Sequence, residues 1–203
     1  MNNEAKKMNP AFDLENFWKS EADEHMAVAT KTFAALGPEF AKMLDACEAS
    51  IRAGGKIMFF GNGGSAGDSQ HLATELSARY IRDRAPIAAI ALTTDTSALT
   101  AIGNDMGFDQ VFSRQLEALG KPGDIAIGIS TSGKSPNVAK ALEAARNMGI
   151  VTIGFSGRDG GTIKALCDII LIVPSDTTAR IQEMHITLGQ MLCGALEQRL
   201  GLV

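Results

Sequence analysis

Cysteine and histidine are scarce in this chain of 203 residues, with three of each: Cys47, Cys167 and Cys193, and His25, His71 and His185. Three widely spaced cysteines in apolar surroundings exclude a disulfide framework or a zinc ribbon and read as buried thiols of a reducing cytosol. The three histidines confine any catalytic or metal site to a very short list. Long apolar runs are missing as well. The longest, such as Ile87–Leu92 and Ile169–Val173, fall far short of the roughly 20 residues that a membrane helix needs. Nor is there an excess of positive charge. Lys and Arg number 19 against 23 Asp and Glu, for a net charge of −4, which excludes a nucleic-acid surface spread over the whole protein. The opening stretch MNNEAKKMNPAFDLE is polar and mixed in charge, without the apolar core of a signal peptide. The expected location is the cytoplasm, with no membrane or nucleic-acid partner.

What is present is one domain's length of chain, 45% hydrophobic, enough to bury a core. Phe12–Leu36 carries apolar residues at helical spacing (Phe12, Leu14, Phe17, Trp18, Met26, Ala29), and Gly37-Pro38 predicts its end. A second helix is predicted over Glu39–Ala53, stopped by Gly54-Gly55. Beyond that glycine pair, short apolar strands at Lys56–Phe60, Ile87–Leu92, Asp124–Ser130, Val151–Phe155 and Asp168–Val173 alternate with helices. Those helices are predicted at Ala66–Tyr80, Ser97–Ile102, Gln110–Leu119, Asn137–Met148 and Thr178–Arg199. Near-continuously apolar strands between helices predict an α/β fold with a five-stranded parallel sheet covered on both faces, a three-layer α/β/α sandwich. The helical start, residues 1–39, extends the domain formed by residues 40–203. Its aromatic residues Phe12, Phe17 and Trp18 offer more apolar surface than a small sheet domain requires, so packing against another subunit is expected.

In open parallel sheets, ligands bind at the carboxyl ends of the strands. The first such loop, Gly61-Asn62-Gly63-Gly64-Ser65, combines glycines that permit close backbone approach with polar side chains, and it leads into a helix N-terminus that attracts anions. Gly61, Gly63 and Ala66 satisfy a loose dinucleotide-binding pattern, but no acidic residue closes the next strand at the expected distance. The second loop, Ser130-Thr131-Ser132-Gly133-Lys134-Ser135, formally matches GxxxxGK[ST] when Gly128 is included. A nucleotide loop also needs a strand that ends in a magnesium-binding acid, and the later strands end Phe155-Ser156 and Val173-Pro174. The better reading is a hydroxyl cradle that holds one sugar phosphate at a helix N-terminus without metal. On the helix after the first loop, His71 and Glu75 lie one turn apart on one face. Near the start of the last helix, Gln182 and Gln190 project about 80° apart, with His185 about 60° away in the other direction.

These motifs in this order resemble the sugar isomerase (SIS) domain family and, within it, the phosphoheptose isomerases. The matching stretches are GNGGSAGDSQHLATEL, LTTDTSALTAIGNDMGFDQVFSRQLEALG, GDIAIGISTSGKSPNV and ARIQEMH. The resemblance implies an SIS-type sandwich and a ketose–aldose isomerase in a homotetramer. The implied reaction converts sedoheptulose 7-phosphate to D-glycero-D-manno-heptose 7-phosphate through an enediol, towards ADP-heptose for the lipopolysaccharide core. By motif, Asn62, Gly63, Gly64, Ser65, Asn104, Asp105 and Gln182 would contact the sugar, and Ser130, Thr131, Ser132 and Ser135 the phosphate. Glu75 would be the base, a carboxylate held near the sugar carbons in a water-poor pocket. The resemblance also implies a zinc ion held by His71, Glu75 and Gln182 with a histidine eight residues after that glutamine.

Here the sequence departs from the pattern, because Gln190 stands where the family has that histidine. A glutamine exchanges no proton near neutral pH. Weak zinc affinity is therefore expected, with Glu75 alone moving the proton. The departure keeps two other readings open. One is a non-catalytic SIS protein that binds a partner, like a relative that associates with the bacterial replication initiator; the other is a domain that senses sugar phosphates. The intact GNGGS, GND and STSGKS segments favour the enzyme.

Overall fold

The computed structural model describes residues 12–203, so the first eleven residues of the 1–39 segment lie outside the described residues. The chain begins with one long helix, α1 (Leu14–Arg52), capped by the Asp13 carboxylate, which accepts a hydrogen bond from the Asn16 amide. This corrects the expectation of two helices that part at Gly37-Pro38. An interior proline removes one backbone N–H and costs the helix about 3 kcal/mol. Burial on either side of it is the stronger term. Val28, Thr32, Leu36, Met43, Cys47 and Ser50 form one continuous buried stripe, so breaking the helix at Pro38 would pull half of it off the core. The division drawn at residue 39 falls inside this helix.

The alternating part contains β1 (Ile57–Gly61), α2 (Gly64–Ser77), β2 (Ala89–Ala91), α3 (Thr96–Asp105), α4 (Ser113–Leu119), β3 (Ile125–Ile129), α5 (Pro136–Asn147), β4 (Val151–Gly157), β5 (Ile169–Val173) and α6 (Thr178–Arg199). All five strands are parallel, in the order β2-β1-β3-β4-β5. The sandwich is thus as the periodicity predicted, with two adjustments. The edge strand β2 has three residues rather than the six of Ile87–Leu92. The helix expected over Gln110–Leu119 starts only at Ser113, after a 3-10 turn at Phe108–Gln110, because Val111 and Phe112 both turn into the core.

Successive strand residues feed two cores. Ile57, Phe59, Ile125, Ile127 and Ile129 face α1, α2 and α6, whereas Met58, Phe60 and Ala126 face α4 and α5. The thiols of Cys47 and Cys193 are buried and Cys167 is half-buried; all three are unpaired. Burial, the main cause in each case, pushes the Cys47 thiol up and Cys167 and Cys193 up to about 12. Gly128 lies in the middle of β3, where a Cβ would press on Val138 and Phe60. The apparent GxxxxGK[ST] match is therefore a strand residue plus an unrelated turn. Among the described residues no helix is long and apolar enough to cross a membrane.

Two contacts set the position of α2. Gly189 on α6 sits against Leu72, with no room for a Cβ, so the two helices approach closely. At the far end, Arg84 donates to the carbonyls of Glu75 and Leu76 and pairs with Glu197 at 2.8 Å, both side chains almost fully buried. Arg84 thereby satisfies carbonyls that the end of α2 leaves open.

Candidate functional site

The strand order places β2 and β3 on opposite sides of β1. Connections that leave β1 and β3 diverge at their carboxyl ends, and a crevice opens between them. The two polar loops found in the sequence lie there. Asn62, after β1, and Asn137, at the start of α5, exchange two amide hydrogen bonds of 2.9 and 2.8 Å across the crevice. Asn137 also accepts from the Val138 amide and is almost completely buried. Gly61 is required because a Cβ would strike the Ile129 carbonyl, and Gly63 has φ +56° as it enters α2.

The second loop is folded as a cradle. Ser135 stands at the N-cap of α5 but makes no side-chain cap; instead its hydroxyl meets that of Ser130 at 3.0 Å. Pro136 brings no N–H to the start of α5 and the Val138 amide is taken by Asn137, so the hydroxyls of Ser130 and Ser135, at the positive end of the helix, are what suits an anion. The Ser132 hydroxyl accepts from the Lys134 amide, and Thr131, between Ser130 and Ser132, is half-buried. Gly133, at φ +65°, packs against the backbone of Gly160, and its carbonyl accepts from the Thr162 hydroxyl and the Ile163 amide. The turn after β4 thus supports the cradle from behind. Within that turn a hydrogen bond from the Gly161 amide, then the charge of Lys134, hold the Asp159 carboxyl below its ordinary range.

A third group of residues sits where α2 meets α6. His71 Nε2 is 3.2 Å from Glu75 Oε1, and the Gln190 side-chain amide meets the same ring nitrogen. His71 is half exposed, and Glu75 keeps 19% of its side chain accessible. Gln182 is elsewhere on α6. Its amide lies over Gly64, where a Cβ would collide with it. The water-poor pocket expected around Glu75 is thus only partly formed by one chain. Asn104 and Asp105, at the end of α3, are exposed and hydrogen-bond to each other at 2.7 Å, not to the residues of either loop. Phe108, just beyond them, helps to line a pocket of about 180 Å³ with Asn62 and Gly63.

Two residues that the motifs did not single out belong to this region. Asn137 is one. The other is Asp68, which lies one turn after Gly64 and one turn before His71, a spacing that was readable as a shared helix face. It lines a shallow depression of about 310 Å³ with Gln182 and Glu183, and its Oδ2 is buried without a partner. Burial pushes its carboxyl up to about 6 against the opposing pull of His71. His25 bonds Glu183 at 2.7 Å, and Arg180 joins Glu183 to Glu21, so α1 is latched to the start of α6. Among the described residues no group of three His, Cys, Asp or Glu side chains is close enough together to hold a metal ion.

His185 lies outside the site. Its ring is fully buried beside Phe155, Nε2–H donates to the Ser156 carbonyl at 3.0 Å, and Nδ1 has no partner. Burial, opposed weakly by that hydrogen bond, lowers its pKa to about 4. Above about pH 6.5 the ring is neutral in both folded and unfolded chains. As the pH falls from there towards about 4, the unfolded chain takes up the proton first and stability drops, by about 3 kcal/mol over the window. Denaturant unfolding across this range is expected to give a shallower pH slope for His185→Gln than for the wild type. Equal slopes would refute the assignment.

The profile of the SIS domain matches residues 22–157 of the chain. A phosphoheptose isomerase of Paramagnetospirillum magneticum is 57% identical over 181 residues, covering 89% of this chain and 94% of that protein. One of Trichlorobacter lovleyi is 50% identical over 92% of this chain and 95% of its own. The structure of phosphoheptose isomerase GmhA from Neisseria gonorrhoeae superposes with a TM-score of 0.87 at 42% identity, covering 92% of this chain and all of that one. A phosphoheptose isomerase from Francisella tularensis does so with 0.89 at 35% identity and the same coverage. With its cradle, its first loop and its α2–α6 centre arranged on this sheet, the chain belongs to the SIS domain family, among the phosphoheptose isomerases.

Proposed function

We propose that this chain interconverts sedoheptulose 7-phosphate and D-glycero-D-manno-heptose 7-phosphate, for ADP-heptose and lipopolysaccharide core synthesis. The observation that carries this reading is the joining of two parts. The Asn62–Asn137 pair ties an anion cradle at the start of α5 to the loop that opens α2, and α2 presents Glu75. The substrate's phosphate is held by Ser130, Thr131, Ser132 and Ser135 at the N-terminal end of α5. Its hydroxyls are read by the backbone of Asn62–Ser65, by Gln182, and by Asn104 and Asp105.

Isomerisation of the ketose requires removal of one proton from C1, with one gained at O2 to give the enediol. A proton is then delivered to C2, with one lost from O1; the aldose direction is the reverse. Glu75 is the carboxylate placed for that transfer, and one group suffices when it shuttles the proton between adjacent carbons. Incubation with sedoheptulose 7-phosphate is expected to yield the aldose. Glu75→Gln should lower turnover by at least about 100-fold, within the range general-base catalysis contributes, while the sugar phosphate still binds. Binding without product in the wild type would favour a sensor, and neither binding nor product would favour a scaffold for a protein partner. Full turnover by Glu75→Gln would remove the base role.

The working form is a homotetramer in the cytoplasm. Supporting this, Leu14, Phe17, Trp18, Met26 and Phe33 are exposed along the first half of α1, Trp18 at 75%, with Phe12 exposed just before it. A single-helix stripe of this kind is characteristic of a surface covered by another subunit. The exposure of His71, Asn104 and Asp105 is consistent with a site that a neighbour closes. Light scattering should give a multiple of four of the 21.4 kDa chain mass; the monomer mass would contradict it.

A further inference from the structure

The centre between α2 and α6 is unusual in what meets His71. In a zinc site an imidazole ligates through a nitrogen lone pair, and its companions are thiolates, further imidazoles or carboxylates. Here His71 Nε2 is met by the Gln190 side-chain amide, and Glu75 Oε1 is 3.2 Å from the same nitrogen. A cation placed to join His71 to Glu75 would have to displace that amide. The two implied ligand positions on α6, Gln182 and Gln190, are both neutral amides, and Gln182 is spent over Gly64, a part of α2 two turns away from His71. One imidazole and one carboxylate are too few for a zinc ion of ordinary affinity. This donor set does not fit the ion.

The position of Gln190 is not loose. Gly189, its chain neighbour, packs against the side chain of Leu72, the chain neighbour of His71, at a separation that leaves no room for a Cβ. The helix contact therefore sets position 190 beside position 71. We infer that Gln190 takes the place of the cation: its neutral amide fixes the His71 ring beside Glu75, and the centre of this isomerase works without zinc. The inference rests on the isomerase reading only for the use of the centre, and its test reads metal alone.

The test compares the wild type, His71→Ala, Gln190→His and the His71→Ala/Gln190→His double variant, each purified without chelator. Zinc content is measured by elemental analysis, and zinc affinity by calorimetric titration with the metal alone. The wild type is expected to hold no more zinc than His71→Ala. Gln190→His should gain about one zinc per chain, more than about 100-fold tighter than the wild type, because a direct ligand outweighs the 10–100-fold effect of outer-shell partners. The double variant should lose it again. Zinc in the wild type at about one per chain, removed by His71→Ala, would overturn the inference. So would a Gln190→His protein with an unchanged unfolding midpoint that takes up no zinc. If Gln190→His unfolds, the wild type and His71→Ala still decide, since zinc held specifically through His71 contradicts the inference and its absence supports it.

Discussion

Two side-chain amides, Asn62 and Asn137, hold together loops that the topology drives apart. Where strand order reverses at β1 and β3, the chain leaves in opposite directions, and nothing in a parallel sheet by itself binds the two exits to each other. The reciprocal amide pair does so with two hydrogen bonds, one partner wholly buried, where an unpaired amide would cost about 1–3 kcal/mol. Each loop therefore depends on the other for its polar groups. The hydroxyl cradle and the turn into α2 become one surface, and the anion-attracting ends of α5 and α2 face a common space.

The second constraint is the close approach of α2 and α6. Gly189 against Leu72 brings two helix faces within reach, and the residues next to these, His71 and Gln190, meet as a consequence. Arg84 and Glu197 hold the opposite end, with Arg84 bonded to the carbonyl of Glu75 itself. The Glu75 stretch of α2 is thus supported from the core rather than from solvent-exposed loops, as the proposed base role requires. What one chain does not supply is a cover: His71 stays half exposed and the aromatic stripe of α1 faces outward.

The layers and the strand–helix alternation were legible because apolar runs and glycine stops are local signals. The positions of Asn62, Ser130, Ser135, His71 and Glu75 were legible because each follows a strand end or shares a helix face. Other features depend on partners far away in sequence. Pro38 reads locally as a stop, yet the stripe from Val28 to Ser50 carries the helix through it. Asn137 reads as one polar residue at a helix start until Asn62, 75 positions away, is seen opposite it. Asp68 had the right spacing, but its unpartnered oxygen is a property of the packing, and so is the burial that removes His185 from the chemistry. Asn104 and Asp105, expected at the sugar, are exposed at the end of α3 and hydrogen-bond to each other, a local contact that says nothing of either loop.

The dependence of both loops on a single amide pair is measured most directly by a double-mutant cycle on Asn62→Ala and Asn137→Ala, read as the affinity for sedoheptulose 7-phosphate. If the pair makes one site of two loops, each single substitution weakens binding about as much as both together, with a coupling of at least about 1 kcal/mol. Effects that add to within about 0.5 kcal/mol would mean that the loops act independently, and the account would be wrong at its centre.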